Sequence, residues 1–341
     1  MLQVVGGFPV GADGRVRTQF THNPSSLRLS SVDPNLQNLP RGTNDLARYV
    51  KEMFVAPRGS LFWSRDYSAI EAVLVGYFAG CDRYVRFAKL GVHAFLASHI
   101  IGKPANLRWS DADLRAYFKE LKNKHPIEYD TAKRVVHGSN YMMTPRKMWY
   151  EYPEIFATIK AADQLQGTYF DLFPEIPKWH RELCLQVDGT KQRRAEVDQP
   201  IDPWSLGVCF ARNPFGYVHR FYNVLDWSKP EDKWISSFGE DAKRLVSFLP
   251  QSTAAAIIKQ AVKRIWYDYP WVGETIRLLI HDDIMGEALE KEINTCLDVS
   301  RVVMEAPIPQ LPLDPSWGMG EFLAIGTEAK VGPSWANMVS T

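Results

Sequence analysis

The sequence predicts an α+β fold, and three observations carry that prediction. A short apolar strand, Leu61-Phe62-Trp63, runs directly into a helical pattern. Near the other end of the chain, two apolar runs flank His281-Asp282-Asp283, the pattern of a tight β-hairpin with an acidic tip. Between them, from about Asp82 to Arg181, apolar residues recur mainly at helical spacing.

Taken in order, the first forty residues are rich in Gly, Pro, Ser and Asn ("GGFPVGADGR", "THNPSSLRLSSVDPNLQNLPRG") and read as short strands and ordered loops. After the strand at 61–63, Ile70, Val73, Leu74, Tyr77 and Phe78 fall on one helical face, so Asp66 and Tyr67 lie at a strand-to-helix junction. "TAKRVVHGSNYMM" and "TIKAADQLQGTYFDLF" are the clearest helices, and Pro145, Pro153, Pro174 and Pro177 punctuate this region. "VCFARNPFGYVHRFY" is strand-like, and a polar loop follows through "SKPEDKWISSFGEDAKR". "PQSTAAAIIKQAVKRIW" places Ile257, Ile258, Ala261, Val262 and Ile265 on one face of a helix, with Pro250 in the first turn, where proline is tolerated.

A chain of 341 residues implies about two domains and is ample for a hydrophobic core. The formal net charge of +1 excludes a uniformly basic nucleic-acid binder but leaves room for a local basic surface. The four cysteines are scattered without a C-x-x-C pair, which argues against a zinc ribbon or a thioredoxin-like site. The N-terminus does not have the form of a signal peptide, and no apolar run reaches the length of about 18 residues that a membrane span needs. A cytoplasmic protein is the expectation.

The chemistry centres on "RLLIHDDIMGEAL", where Asp282 and Asp283 stand among apolar residues. Buried carboxylates are costly unless paired or bound to a metal. Asp66 ends another strand. If the two strands are neighbours, Asp66 and Asp282 converge, and such a pair can hold two divalent cations about 3.5–4 Å apart for in-line phosphoryl displacement. Lys133, His137 and Tyr141 are spaced i, i+4, i+8 along one helical face, which suits a nucleotide: a cation for phosphate and flat rings for a base. Blander readings stand beside these. Asp66 alone could be a helix-initiating acid, Asp282-Asp283 a polar turn, and Lys133 a solvated lysine. Ser68-Ala69-Ile70-Glu71 has the form of a capping box. His99 reads as structural.

Three ordered motifs resemble the polymerase core of family A DNA polymerases, the bacterial polymerase I and phage group. "DYSAIE" (Asp66–Glu71) resembles motif A, "KRVVHGSNY" (Lys133–Tyr141) motif B, and "HDD" (His281–Asp283) motif C. "RLSSVDPNLQNLP" (28–40) and "PQSTAAAIIK" (250–259) match as well, and the order agrees from about residue 10 to residue 322. The resemblance implies a right-hand polymerase core: palm segments at 1–80 and 245–341 on an antiparallel sheet, with helical fingers at 81–244. It implies template-directed transfer from dNTPs to a primer 3′-hydroxyl with two Mg²⁺, for which Mn²⁺ can substitute. Asp66 and Asp282 would be the catalytic metal ligands, the Tyr67 carbonyl a further ligand and Asp283 a supporting acid. Lys133 would bind the triphosphate and help protonate pyrophosphate. His93 would contact phosphate, Glu71 would act as the gate against a ribose 2′-hydroxyl, and Tyr141 would stack at the insertion site. Arg28 and Gln251 would touch the minor groove near the primer end, and Asn35 and His281 would support the template–primer and the catalytic tip.

Departures from the family pattern accompany these matches. Tyr129 stands where an arginine is usual one turn before the motif B lysine, with Lys122, Lys124 and Arg134 as candidates to replace the lost cation. His137 stands in place of an aromatic ring, Met142 in place of a glycine, and Ala69 in place of a glutamine. Only 27 residues precede Arg28, where the family carries a thumb and an exonuclease-like domain. The expectation is a fragment or a split-gene product whose partner polypeptide supplies the thumb and exonuclease domains, serving phage or mobile-element replication or repair. A single-chain RNA polymerase and a degenerate, DNA-binding polymerase subunit are the alternatives. Glu71 argues against the first; intact Asp66, Asp282 and Lys133 argue against the second.

Overall fold

A computed structural model describes residues 7–22, 26–39, 45–188, 208–228, 230 and 235–341. Pro40, which ends the "RLSSVDPNLQNLP" stretch, and several residues of the stretch 228–244 lie outside the described residues. The chain divides into two compact units, residues 1–70 with 251–341, and residues 71–250.

The first unit opens with β1 (Gln19–Thr21) and β2 (Ser30–Val32), then α1 (Asp45–Glu52) and β3 (Ser60–Tyr67). Among the described residues of the second unit eight helices follow: α2 (Ile70–Phe78, whose first residue closes unit one), α3 (Asp82–Leu90), α4 (Val92–Ile100), α5 (Asp111–Lys124), α6 (Pro126–Asn140), α7 (Pro145–Glu151), α8 (Ile159–Leu172) and α9 (Glu175–Val187). Two hairpins come next, β4 (Val208–Arg212) with β5 (Val218–Tyr222), and β6 (Leu225–Ser228) with β7 (Ile235–Phe238). A long helix, α10 (Ala242–Asp268), crosses the unit boundary. The first unit then resumes with α11 (Pro270–Gly273), β8 (Ile276–Ile280), β9 (Asp283–Leu289), α12 (Ile293–Met304), β10 (Thr327–Gly332) and β11 (Val339–Ser340).

Two sequence expectations are corrected here. The helix expected to start at Pro250 begins eight residues earlier, at Ala242, so Pro250 is internal. Proline has no N–H for the i−4 carbonyl, and this unpaired turn coincides with the boundary between the units. The polar loop expected over 228–244 instead contains β7 and the start of α10. Its strand is short and polar (ISSF), and its pairing with β6 supplies the order that its own pattern does not announce.

The first unit is built on a five-stranded antiparallel sheet in the order β11-β10-β3-β9-β8. β3 lies at its centre, and its period of two sorts its side chains. Trp63, Arg65 and Tyr67 face α12 and its neighbours. Trp63 Nε1 donates to Thr275 Oγ1 at 3.2 Å, Arg65 donates to Ser300 Oγ and the Leu297 carbonyl, and Tyr67 OH donates to the Met304 carbonyl. Phe62, Ser64 and Asp66 face the opposite way. There Phe62 packs with Leu36, Leu278 and Met285, and Phe54 and Trp335 close over them.

Gly286 is required by this packing. It lies opposite Trp63 in the β3–β9 register, and a Cβ there would stand 2.3 Å from Trp63 Cε2 and Nε1. Trp63 is fully buried and cannot swing out without opening the core. Gly286→Ala is expected to destabilise the first unit by about 3 kcal/mol, read as a lowered midpoint in chemical denaturation. An unchanged midpoint would mean that the indole has room to move.

Candidate functional site: an acidic sheet edge and a basic helical face

The sheet brings together the acids that the sequence singled out. β3 pairs with β9 so that Asp66 stands opposite Asp283, and a two-residue turn, His281-Asp282, joins β8 to β9. The Tyr67 N–H donates to the Asp282 carbonyl at 3.3 Å, which ties the turn to the end of β3. His281 has φ +59°, in the left-handed region that glycine adopts without cost. The hairpin tip therefore stores backbone strain at the point where Asp282 is presented. Gln37 braces the hairpin: its Oε1 accepts from Ser31 N–H and its Nε2 donates to the Leu279 carbonyl at 2.9 Å. Sequence reasoning did not single out Gln37, although it lies within the matched stretch 28–40.

The electrostatics follow from this crowding. Asp66 is open to water on one side but surrounded on the others, and burial together with Asp282 and Asp283 pushes its carboxyl up to about 8. Asp283 is pushed up to about 7, again chiefly by burial, with Lys330 opposing and Asp282 adding to the rise. Glu328 and Lys330 on β10 lie on the same face as Asp66, opposite Asp66 and Ser64 respectively. Both escaped the sequence reading. Asp283 Oδ1 is buried with no hydrogen-bond partner among the described residues. Repelling carboxylates with an unsatisfied buried oxygen fit a hard divalent cation, which takes oxygen ligands. Among the described residues, no group of three or more His, Cys, Asp or Glu is assembled to hold a metal alone. Substrate phosphates, main-chain carbonyls and water would complete the shell, as is usual for Mg²⁺.

The other expected residues of this unit are dispersed in role. Asn35 caps a short 3₁₀ turn, its Oδ1 accepting from Asn38 N–H at 3.1 Å. Arg28 and Gln251 are half-buried, Gln251 within α10. Lys259, also on α10, donates to the Leu27 carbonyl and so fixes the start of the Arg28 segment.

In the second unit, α6 carries Lys133 and His137, both exposed, and ends at Tyr141. The helix closes by two bonds, Met143 N–H to the Gly138 carbonyl and Met142 N–H to the Ser139 carbonyl. That is a Schellman stop, with Met142 at φ +57° where glycine is favoured. The Tyr141 hydroxyl donates to Glu71 Oε2, and the His137 ring stands edge-on to Tyr141 at 5.2 Å. Ser68 N–H meanwhile donates to the Gly326 carbonyl, and Ala69 has φ +53°. The Glu71 carboxylate is thus directed to Tyr141. His93 on α4 is half-buried and held down at about 4, by burial first and then by Lys133, His137 and Lys122. The four cysteines are free and buried, and no described helix is long and apolar enough to cross a membrane.

Known proteins are similar to this chain in sequence and fold. A thermostable DNA polymerase I of Thermus aquaticus is 26% identical over 313 residues, covering 90% of this chain and 32% of its own length. A DNA polymerase I of Pseudomonas aeruginosa is 25% identical over 314 residues, covering 90% and 30%. The chain thus spans about a third of the length of the curated relatives it matches. Among solved structures, the POL domain of Pol1 from M. smegmatis, in complex with DNA primer-template and dNTP, is similar with a TM-score of 0.66 at 23% identity, covering 96% of this chain and 49% of that one. This likeness supports the α+β polymerase-domain fold. The family model of DNA polymerase family A matches residues 7–196, more than half of the sequence, and the chain belongs to that family.

Proposed function

We propose that this chain is a template-directed DNA polymerase that transfers deoxynucleotides from dNTPs to a primer 3′-hydroxyl. The observation that carries the reading is the opposition of Asp66 to Asp283 across β3 and β9, with Asp282 in the connecting turn. Three carboxylates that repel one another at a sheet edge are a liability unless cations neutralise them. Asp66 and Asp282, with the Tyr67 carbonyl, would hold two Mg²⁺ or Mn²⁺ ions, which when bound stabilise the attacking and leaving oxygens of an in-line displacement. Asp283 would act as the supporting acid.

On the basic face of α6, Lys133 would bind the triphosphate and give a proton to the departing pyrophosphate, with His93 as a phosphate contact. Tyr141 and His137 would pack on the nucleotide. Glu71, held by Tyr141, would exclude a ribose 2′-hydroxyl. Arg28, Asn35, Gln251 and His281 would support the template–primer. In this reading the palm comprises residues 1–80 and 245–341 and the fingers residues 81–244, bounds that fall near those of the two units. A cytoplasmic replication or repair role, phage or mobile-element in origin, belongs to the same proposal, as does a partner polypeptide bearing thumb and exonuclease domains.

Primer extension tests it. The chain is expected to extend a primer with dNTPs only when Mg²⁺ or Mn²⁺ is present, and to use rNTPs poorly until Glu71 is replaced by Ala. Equal use of rNTPs by the unaltered chain would favour the RNA-polymerase alternative. Short products against trapped template, lengthened by a thumb-bearing partner, would support the split organisation. Long products from a single encounter by the chain alone would count against it.

A further inference from the structure

Three helices of the second unit gather basic side chains around one ring. Tyr129, Lys133, His137 and Tyr141 are spaced i, i+4, i+8, i+12 and line one face of α6. The His93 ring, from α4, stands edge-on to Tyr129, with centroids 6.0 Å apart. From the last turn of α5, Lys122 places its Nζ 5.4 Å from the centroid of the same Tyr129 ring. The phenol thus bridges an imidazole and an ammonium, with Lys133 one turn further along.

Two other cations of α5 and α6 are already paired with acids. Lys124 pairs with Glu120 at 2.6 Å. Arg134 approaches Asp130 at 3.5 Å and lies over the Tyr152 ring at 4.9 Å. Among the described residues, no carboxylate lies within 4.0 Å of the ammonium of Lys122 or Lys133. The charges that bear on His93 are Lys133, His137 and Lys122, and no acid offsets them. Like charges collected without a counter-ion attract an anion from solution.

We propose that Lys122 is a phosphate-binding residue, extending the anion site of Lys133 and His93 and taking the terminal phosphates of a nucleoside triphosphate. The assignment rests on the nucleotide-binding reading of Lys133. Its end of the site follows from the helix. Tyr129 and Tyr141 are separated by about 18 Å at 1.5 Å rise per residue. The flat rings of His137 and Tyr141 stand at one end and Lys122 at the other. A nucleotide that sets its base against the rings directs its terminal phosphates towards Lys122. The ammonium offers three donors to non-bridging oxygens.

The test uses inorganic tripolyphosphate as the probe, titrated calorimetrically into the full chain without DNA. Lys122→Ala and Lys133→Ala are each expected to weaken binding roughly tenfold, the loss of one charge-assisted contact. Lys122→Arg should restore most of the affinity, and Lys124→Ala should leave it unchanged. In primer extension, Lys122→Ala should raise the KM for dNTP by a similar factor with kcat nearly preserved, the mark of a binding contact. Wild-type affinity in Lys122→Ala alongside a weakened Lys133→Ala overturns the assignment, as does a chain that does not bind tripolyphosphate. The two readings fail separately. A chain that cannot extend a primer, yet loses tripolyphosphate affinity on Lys122→Ala, keeps the phosphate site and sinks the polymerase reading. An active chain whose Lys122→Ala variant has unaltered affinity and KM sinks only the role of Lys122.

Discussion

Asp66→Asn and Asp282→Asn are each expected to abolish primer extension, a loss of roughly 10³-fold or more, because several kcal/mol of metal-borne charge stabilisation disappears at a factor of ten per 1.4 kcal/mol. Neither change should unfold the protein. Asn is isosteric with Asp, and removing one charge relieves the repulsion that raises the remaining carboxyls. Full activity in either variant would refute the assignment of these acids.

The same substitution carries a pH signature independent of turnover. The Asp66 carboxyl is raised from 3.8 to about 8 in the folded protein. Below the lower value both folded and unfolded chains hold the proton, and the group contributes nothing. Between the two values the folded chain retains a proton that the unfolded chain releases, so metal-free stability falls as pH rises through that window. Asp66→Asn removes this carboxyl's share of the dependence, while Asp283 keeps its own. The melting temperature of Asp66→Asn minus that of the wild type should therefore grow from pH 5 to pH 8. Mg²⁺ should raise the wild-type melting temperature more at pH 8 than at pH 5, since ligands must be deprotonated to bind. A difference that stays flat across this range would show that Asp66 is not held protonated.

What could be read from the sequence is what local pattern encodes. The acidic hairpin was legible because five apolar residues bracket His281-Asp282-Asp283, and its neighbour was legible because Leu61-Phe62-Trp63 runs straight into Asp66. The face of α6 follows from the helical period alone. Contacts that pair distant residues without a periodic signal were not legible. β10, with sequence TEAKVG, is weakly apolar and becomes a strand because β3 and β11 flank it, so Glu328 and Lys330 arrived unannounced beside Asp66. The hydrogen-bond partner of Glu71 is a tyrosine 70 residues away, which no local pattern around Glu71 announces. Lys122 was one of three equivalent cations in sequence, and only the partners of the other two separate it from them.

The second large effect is expected at Asn140, the residue before Tyr141. Its side chain is buried between two phenols: Nδ2 donates to Tyr84 OH at 2.8 Å, and Oδ1 accepts from Tyr169 OH. His180 Nε2 reaches its carbonyl at 3.0 Å, and Gln166 donates to Ser139 Oγ and the Met143 carbonyl on either side. These partners come from α3, α8 and α9 and fix the end of α6, and with it the position from which Tyr141 holds Glu71. Asn140→Leu removes the amide that satisfies two buried hydroxyls, which costs about 3 kcal/mol and should lower the melting temperature by roughly 5–10 °C. Tyr84→Phe and Tyr169→Phe added to Asn140→Leu should recover most of that stability, because replacing both sides of a buried hydrogen bond by apolar groups is nearly neutral. Sugar selection should not recover with it. With the brace gone, Tyr141 is free to drift from Glu71, so the triple variant is expected to remain stable yet incorporate rNTPs more readily than the wild type. If the triple variant were as selective as the wild type, the network would serve stability alone, and the Schellman stop at Met142 would suffice to hold Tyr141 in place.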